Sequence, residues 1–180
     1  MVINLLTQSE SSDKLVFHVD KLEKLLENYG DHYISVVSIA GKLRTGKSFL
    51  INWLLKYAKH TKNGLGSVSW LEPGKLEGFP FARGRHKLTD GIDLWDEVRF
   101  RRKINAFKIF YKPSKVIEFD DIIHGKSVLL FMDTQGIFSA EDDFSESVSV
   151  FAISLMLSSI QIYNLRGGLD RLHLDQLRLG

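Results

Sequence analysis

The chain has 180 residues, of which 44% are hydrophobic and 26% are charged, and its formal net charge is +2. These values are typical of one soluble globular domain; they argue against intrinsic disorder and give no support for nucleic-acid binding. The chain has no cysteine, which excludes disulfide bonds and thiolate metal sites.

The first part of the chain is predicted to contain a surface segment and then a short helix. Residues 1–13 have neither the basic region nor the apolar core of a secretory signal, and we expect them to form a surface or edge segment. Residues 17–29 place three leucines on one helical face, and Gly30 is positioned to end that helix.

A change of hydrophobic period marks the next part of the chain. The run YISVVSIA, Tyr33–Ala40, has little polar relief, as expected of a central parallel strand covered on both faces. It leads directly into glycine. From Lys47 onward the apolar residues recur at helical spacing. The predicted order is therefore strand, glycine loop, helix.

The second half of the chain combines an irregular connection with buried segments. Residues 61–88 are predicted to form a long loop, and residues 92–100 are predicted to form a strand. The basic, aromatic residues 101–125 fit a solvated hairpin or an insertion. Residues 127–132 predict a second buried strand. Residues 147–165 contain no charge, but their serines dilute the apolar content, and a buried helix is favoured over a membrane span.

The glycine loop has the spacing of a phosphate-binding loop. GKLRTGKS, residues 41–48, is a glycine, four residues, then glycine, lysine and a hydroxyl residue, and it lies between a strand and a helix. Backbone N–H groups of such a loop point at phosphates, at the positive end of the following helix. Lys47 adds a charge between the β- and γ-phosphates, Ser48 offers a magnesium ligand, and the Phe49 N–H reaches the α-phosphate. The alternative is a surface glycine turn with an incidental lysine.

The second buried strand ends in DTQG, residues 133–136. Asp133 is placed to hold magnesium through water, and the Gly136 N–H is placed to meet the γ-phosphate, as in the second switch segment of GTPases. A plain β-turn is the alternative. Thr89, beside Gly91 at the end of the long loop, is the candidate for the threonine that completes the magnesium shell and senses the γ-phosphate.

The position after Gly136 distinguishes this chain from small Ras-like GTPases. Ile137 stands where those proteins place a water-positioning glutamine. Arg44 inside the phosphate-binding loop is the candidate replacement, since a guanidinium there could neutralise the charge that develops during phosphoryl transfer. A solvated loop arginine is the alternative reading.

These segments together resemble one family. GKLRTGKSFL resembles the phosphate-binding loop of the atlastins, TDGIDLW their first switch and MDTQGIF their second switch, and SVSVFAISLMLSSIQIYNL is similar to the helix that follows. FHVDKLEKLL resembles the helix before the first strand. Guanylate-binding proteins share this domain type and are the alternative.

The resemblance implies an α/β P-loop NTPase domain of three layers with a mostly parallel sheet, from a dynamin-related GTPase that fuses endoplasmic-reticulum membranes. It implies Mg²⁺ as cofactor, GTP and GDP as substrate and product, a nucleotide-dependent homodimer and a location on the cytosolic face of the endoplasmic reticulum. Arg44 and Thr89 would act in catalysis, and Ser48, Thr89 and Asp133 would serve magnesium. The residues expected to bind nucleotide are Gly41, Arg44, Thr45, Gly46, Lys47, Ser48, Phe49, Gln135 and Gly136.

The whole chain is interpreted as one partial GTPase domain. Its predicted parts are an N-terminal segment and helix (1–32), strand, phosphate-binding loop and helix (33–60), first switch and strand (61–100), insertion or hairpin (101–125), and second-switch strand with its helix (126–180). The family's guanine-reading arginine–aspartate motif and membrane segments are expected beyond residue 180. The chain alone is expected to be soluble and cytoplasmic. The other hypothesis is a truncated, non-catalytic form that binds nucleotide weakly and associates with full-length relatives.

Overall fold

The computed structural model describes residues 2–9, 14–30, 32–61, 71, 74–81, 91–95, 99–100, 127–136, 144–168, 171 and 174. Seven strands and three helices lie in these residues. In chain order they are β1 (Val2–Gln8), β2 (Leu15–Phe17), α1 (Val19–Glu27), β3 (Tyr33–Ala40), α2 (Lys47–Thr61), β4 (Ile92–Trp95), β5 (Arg99–Phe100), β6 (Ser127–Thr134), α3 (Phe144–Leu157) and β7 (Ile160–Tyr163).

All seven strands belong to one mixed sheet, with the order β2-β1-β4-β6-β3-β7 and with β5 also paired to β6. Strand β3 is parallel to β6 and to β7, whereas the pairs β1–β2, β1–β4, β4–β6 and β5–β6 are antiparallel. The α/β fold of a P-loop NTPase is therefore confirmed. The sheet is mixed rather than mostly parallel, because only two of the six strand pairs in the described residues are parallel. The parallel part of the sheet is the group β6-β3-β7, and the phosphate-binding loop follows β3 in this group.

Helices cover both faces of the sheet, which gives the predicted three layers. On β6, Val128, Leu130 and Met132 join one core cluster, while Leu129 and Phe131 join the other. Side chains alternate between the faces of a strand, so this alternation shows that β6 is buried on both sides. The first cluster includes residues of α1 and α3, and the second includes residues of α2.

The N-terminal residues were predicted to form a surface or edge segment, and this prediction is wrong. Strand β1 lies between β2 and β4, and Leu5 and Leu6 are each only 1% exposed. The edge position belongs to β2 instead. The apolar run VINLL is short and is followed by polar residues, so its place inside the sheet depends on long-range pairing with β4.

The predicted helix over 147–165 is also corrected. Helix α3 ends at Leu157, and β7 follows it as a strand beside β3. Ser159 makes the transition, because its N–H donates to the Val36 carbonyl at 2.8 Å and its hydroxyl accepts from the Val36 N–H at 3.1 Å. A short apolar run does not distinguish helix from strand by its period, and here the pairing with β3 decides.

The helix predicted over 17–29 is the shorter α1, Val19–Glu27, because Phe17 belongs to β2. The strand expected over 92–100 is two short strands, β4 and β5, which both pair with β6. Residues 101–125 lie outside the described residues. Within the described part of the chain, no helix has the length and apolar character needed to cross a membrane.

Candidate functional site

The phosphate-binding loop connects the buried end of β3 to the start of α2. Gly41 has φ of +147°, and a Cβ at this position would collide with the main-chain oxygen of Asn164. Gly46 has φ of +88°. Residues other than glycine rarely adopt such φ angles, so the path of the backbone requires glycine at both positions.

Two side chains of the loop hold the carbonyl of Lys42. The Thr45 hydroxyl donates to this oxygen at 2.9 Å, and the Lys47 ammonium donates to it at 3.1 Å. Lys47 is only 6% exposed, which keeps its charge next to the loop. Arg44, at the exposed crest of the loop, has φ of +63°, which is uncommon for a residue other than glycine.

Asn164 supports the loop from behind, a role that the sequence did not indicate. Its main-chain N–H donates to the Ala40 carbonyl at 2.7 Å, and its side-chain Nδ2 donates to the Thr45 carbonyl at 3.0 Å. Asn164 follows β7 directly. Residues 147–165 were interpreted as a helix. A prediction of β7 beside β3 would have been needed to bring Asn164 to the loop.

The predicted magnesium residues Ser48 and Asp133 are in contact. The Ser48 hydroxyl donates to Asp133 Oδ2 at 2.5 Å, and Asp133 is fully buried. Strands β3 and β6 are parallel neighbours with Ile39 paired to Asp133, so the carboxyl end of β6 lies beside the loop that follows β3. Thr89, the third predicted magnesium residue, lies outside the described residues.

A hydroxyl and a carboxylate oxygen fit magnesium. Mg²⁺ prefers hard oxygen ligands and is commonly held by one or two protein groups together with waters and substrate phosphates. Among the described residues no group of three or more histidine, cysteine, aspartate or glutamate side chains could hold a metal ion. The pair Ser48 and Asp133 therefore suits a cation shared with phosphates.

Asp93 is a second buried carboxylate beside this pair, and no motif in the sequence pointed to it. It is 4% exposed and lies directly opposite Asp133 in the antiparallel pairing of β4 with β6. On its other side the Asn4 side chain donates to Asp93 Oδ1 at 2.5 Å. Directly opposite residues have Cβ atoms about 4.5–5.5 Å apart, and like charges in such pairs destabilise the sheet.

Replacing Asp93 with asparagine is therefore expected to stabilise the magnesium-free chain. Asparagine keeps the oxygen that accepts from Asn4 and removes one of two facing negative charges. We expect a gain of about 1 kcal/mol in the free energy of unfolding without magnesium. Addition of magnesium should then raise the melting temperature of the variant less than that of the parent. Thermal melts of both chains with and without Mg²⁺ measure this, and a destabilised Asp93→Asn chain would contradict it.

The Gln135 side chain, which was predicted to lie beside the nucleotide, makes two hydrogen bonds within the protein. It is 1% exposed; its Oε1 accepts from the Gly91 N–H at 2.9 Å, and its Nε2 donates to Glu146 Oε1 at 2.9 Å. The Gln135 N–H also donates to the Gly91 carbonyl at 2.8 Å. Its side chain thus joins the end of β6 to the residue before β4 and to the first turn of α3.

Gly136 and Phe49 lie next to the loop. A Cβ on Gly136 would come within 2.5 Å of the Leu43 Cα, so the second predicted switch approaches the phosphate-binding loop at a place where only glycine fits. Phe49 lies in the first turn of α2, where main-chain N–H groups have no partner within the helix. Its ring is 47% exposed and packs edge-on against Phe81.

Comparisons with known proteins agree on the class of domain. Residues 12–179 match the family described as guanylate-binding protein, N-terminal domain. The chain is 35% identical to Atlastin-1 of Rattus norvegicus over 159 residues, which is 86% of the chain and 24% of that protein. It is 32% identical to Atlastin of Drosophila melanogaster over 168 residues, 91% of the chain and 28% of the relative. It is 32% identical to Atlastin-2 of Homo sapiens over 183 residues, 98% of the chain and 27% of the relative. The chain thus spans about a quarter of the length of these relatives.

Proposed function

The chain belongs to the family of guanylate-binding-protein N-terminal domains and is atlastin-like within it, and we propose that it binds GTP and GDP and hydrolyses GTP. The observation that carries this proposal is the contact between the Ser48 hydroxyl and Asp133 Oδ2, at 2.5 Å. It joins the phosphate-binding loop to the acid at the end of β6. In a P-loop GTPase these two positions meet at the magnesium that bridges the phosphates.

Phosphate recognition is assigned to the loop and the helix after it. The main-chain N–H groups from Gly41 to Phe49 face the phosphates at the positive end of α2, and the Lys47 ammonium adds a full charge. The close approach of Gly136 to Leu43 of the loop supports the role proposed for the Gly136 N–H, which is contact with the γ-phosphate. Ser48 and Asp133, with Thr89, would hold magnesium, which neutralises phosphate charge when it is bound.

For the complete protein we propose the role that the atlastin resemblance implies. That role is homotypic fusion and shaping of endoplasmic-reticulum membranes, carried out by a nucleotide-dependent homodimer on the cytosolic face. Support comes from the match to atlastins over most of this chain.

The test is binding of a fluorescent GTP analogue to the chain, titrated with and without Mg²⁺. We expect magnesium-dependent binding that GTP and GDP compete away. ATP should compete comparably, because every contact assigned above goes to phosphate or magnesium and none to the base. Absence of binding by a folded chain would overturn the proposal, and strong preference for GTP would show that residues within this chain read guanine.

A further inference from the structure

We propose that Gln135 is a positioning residue that fastens the residue before β4 to the first turn of α3. Its amide makes two side-chain hydrogen bonds of 2.9 Å, one accepted from the Gly91 N–H and one donated to Glu146 Oε1. A main-chain hydrogen bond of 2.8 Å from the Gln135 N–H to the Gly91 carbonyl closes the ring with Gly91. Gly91, Gln135 and Glu146 are called the amide latch below.

The polarity of the latch requires an amide at its centre. A carboxamide offers an acceptor oxygen and donor hydrogens at the end of one side chain, whereas a carboxylate only accepts. The amide oxygen of Gln135 accepts from the Gly91 N–H, and its amide nitrogen donates to Glu146. Because Gln135 is 1% exposed, water is largely unavailable as a replacement partner, and an unmatched polar atom there would be costly.

The two outer members of the latch each suit their position in the fold. Gly91 has φ of +89°, and a Cβ there would collide with the main-chain carbonyl of Leu6 on β1, so only glycine fits against that strand. Glu146 is an acidic residue in the first turn of α3, where the helix N-terminus favours negative charge. Through one side chain the latch therefore joins the residue before β4, the end of β6 and the first turn of α3, while Gly91 also lies against β1.

The position of the latch in the sequence gives it a consequence for function. Gly91 follows the predicted magnesium residue Thr89 by two positions, and Gln135 lies between Asp133 and Gly136. One buried amide thus connects the two segments assigned to magnesium and the γ-phosphate, and extends the connection to α3. We infer that the latch sets the position of the first switch relative to the second, and that loosening it weakens the retention of magnesium and triphosphate. This functional part rests on the proposed GTP binding, whereas the structural part does not.

The test is a cycle of near-isosteric variants. Gln135→Glu places a carboxylate against Glu146 and is expected to loosen the latch. Glu146→Gln leaves a neutral amide pair and should have a smaller effect. The double variant Gln135→Glu with Glu146→Gln reverses the direction of the second hydrogen bond and should restore it. The matched control is Gln8→Glu, the same chemical change at an exposed position of β1.

Two measurements separate the latch from a packing role. Hydrogen exchange of the Gly91 amide should accelerate at least about tenfold in Gln135→Glu and return to within about threefold of the parent in the double variant, because contacting pairs are non-additive. The dissociation rate of a magnesium-bound fluorescent GTP analogue should likewise rise in Gln135→Glu and return towards that of the parent in the double variant. Rescue is the distinguishing result, since all the variants have nearly the same volume.

Three outcomes would overturn the proposal. They are an unchanged Gly91 exchange rate in Gln135→Glu, additive effects in the double variant, and an equal effect of Gln8→Glu. If the parent chain binds no nucleotide, the proposed function fails, and hydrogen exchange still decides on the latch. Should Gln135→Glu alone fail to fold by circular dichroism, a folded double variant with a protected Gly91 amide would support the latch, and an unfolded one would refute it.

Discussion

Replacing Lys47 with alanine is expected to lower the affinity for GTP by at least about a hundredfold while leaving the fold intact. Charge-assisted hydrogen bonds contribute about 1.5–3 kcal/mol each, and this ammonium is assigned to two phosphates. Lys47 is 6% exposed and donates to the Lys42 carbonyl, so its charge is already held over the loop before phosphate arrives. Little ordering of the side chain is then needed on binding.

The Lys47→Ala variant should stay folded because Lys47 belongs to neither core cluster. Lys42→Ala is the matched control, since it removes the same charge from the same loop but leaves the Lys42 carbonyl in place. Equilibrium titration with a fluorescent GTP analogue gives the affinities, and circular dichroism checks the fold. Equal affinities of a folded Lys47→Ala variant and the parent would refute the assignment of the loop.

The phosphate-binding half of the site could be predicted because its signals are local. A β-branched run, two glycines at fixed spacing and a change to helical period report the strand, the loop and the helix without knowledge of distant contacts. The bounds Tyr33–Ala40 and the start of α2 at Lys47 agree with the structure. The second buried strand was also predicted, and it extends to Thr134, two residues beyond the predicted end.

The supports of the site could not be predicted because they depend on strand pairing across the chain. Asn164 reaches the loop only because β7 pairs with β3, and Asp93 faces Asp133 only in the register that β4 adopts beside β6. A single sequence carries no signal for such a register. Gln135 was recognised as a member of a motif, yet its partners Gly91 and Glu146 are brought to it only by the fold.

Arg44→Ala is expected to slow GTP hydrolysis about a thousandfold or more and to leave nucleotide affinity within about threefold of the parent. An arginine that stabilises the transition state of phosphoryl transfer contributes about 10³–10⁵ in rate. Arg44 is assigned this role because of its position. It lies in the loop that is assigned to the phosphates, it is exposed at the crest of that loop, and Ile137 occupies the place of the water-positioning glutamine.

The backbone of Arg44 provides a control that separates the guanidinium from the loop conformation. With φ of +63° this residue carries a strain that glycine would not, typically about 1–2 kcal/mol. Arg44→Gly should therefore raise the melting temperature slightly and still lose hydrolysis as Arg44→Ala does, whereas Arg44→Lys should recover only a small part of the rate because it lacks the planar fork. Single-turnover cleavage of GTP by the parent and by each variant measures the rates. If Arg44→Ala cleaved GTP as fast as the parent while binding it equally well, the charge that develops on the phosphates would have to be stabilised by another group. Arg44 would then be a solvated residue of the loop.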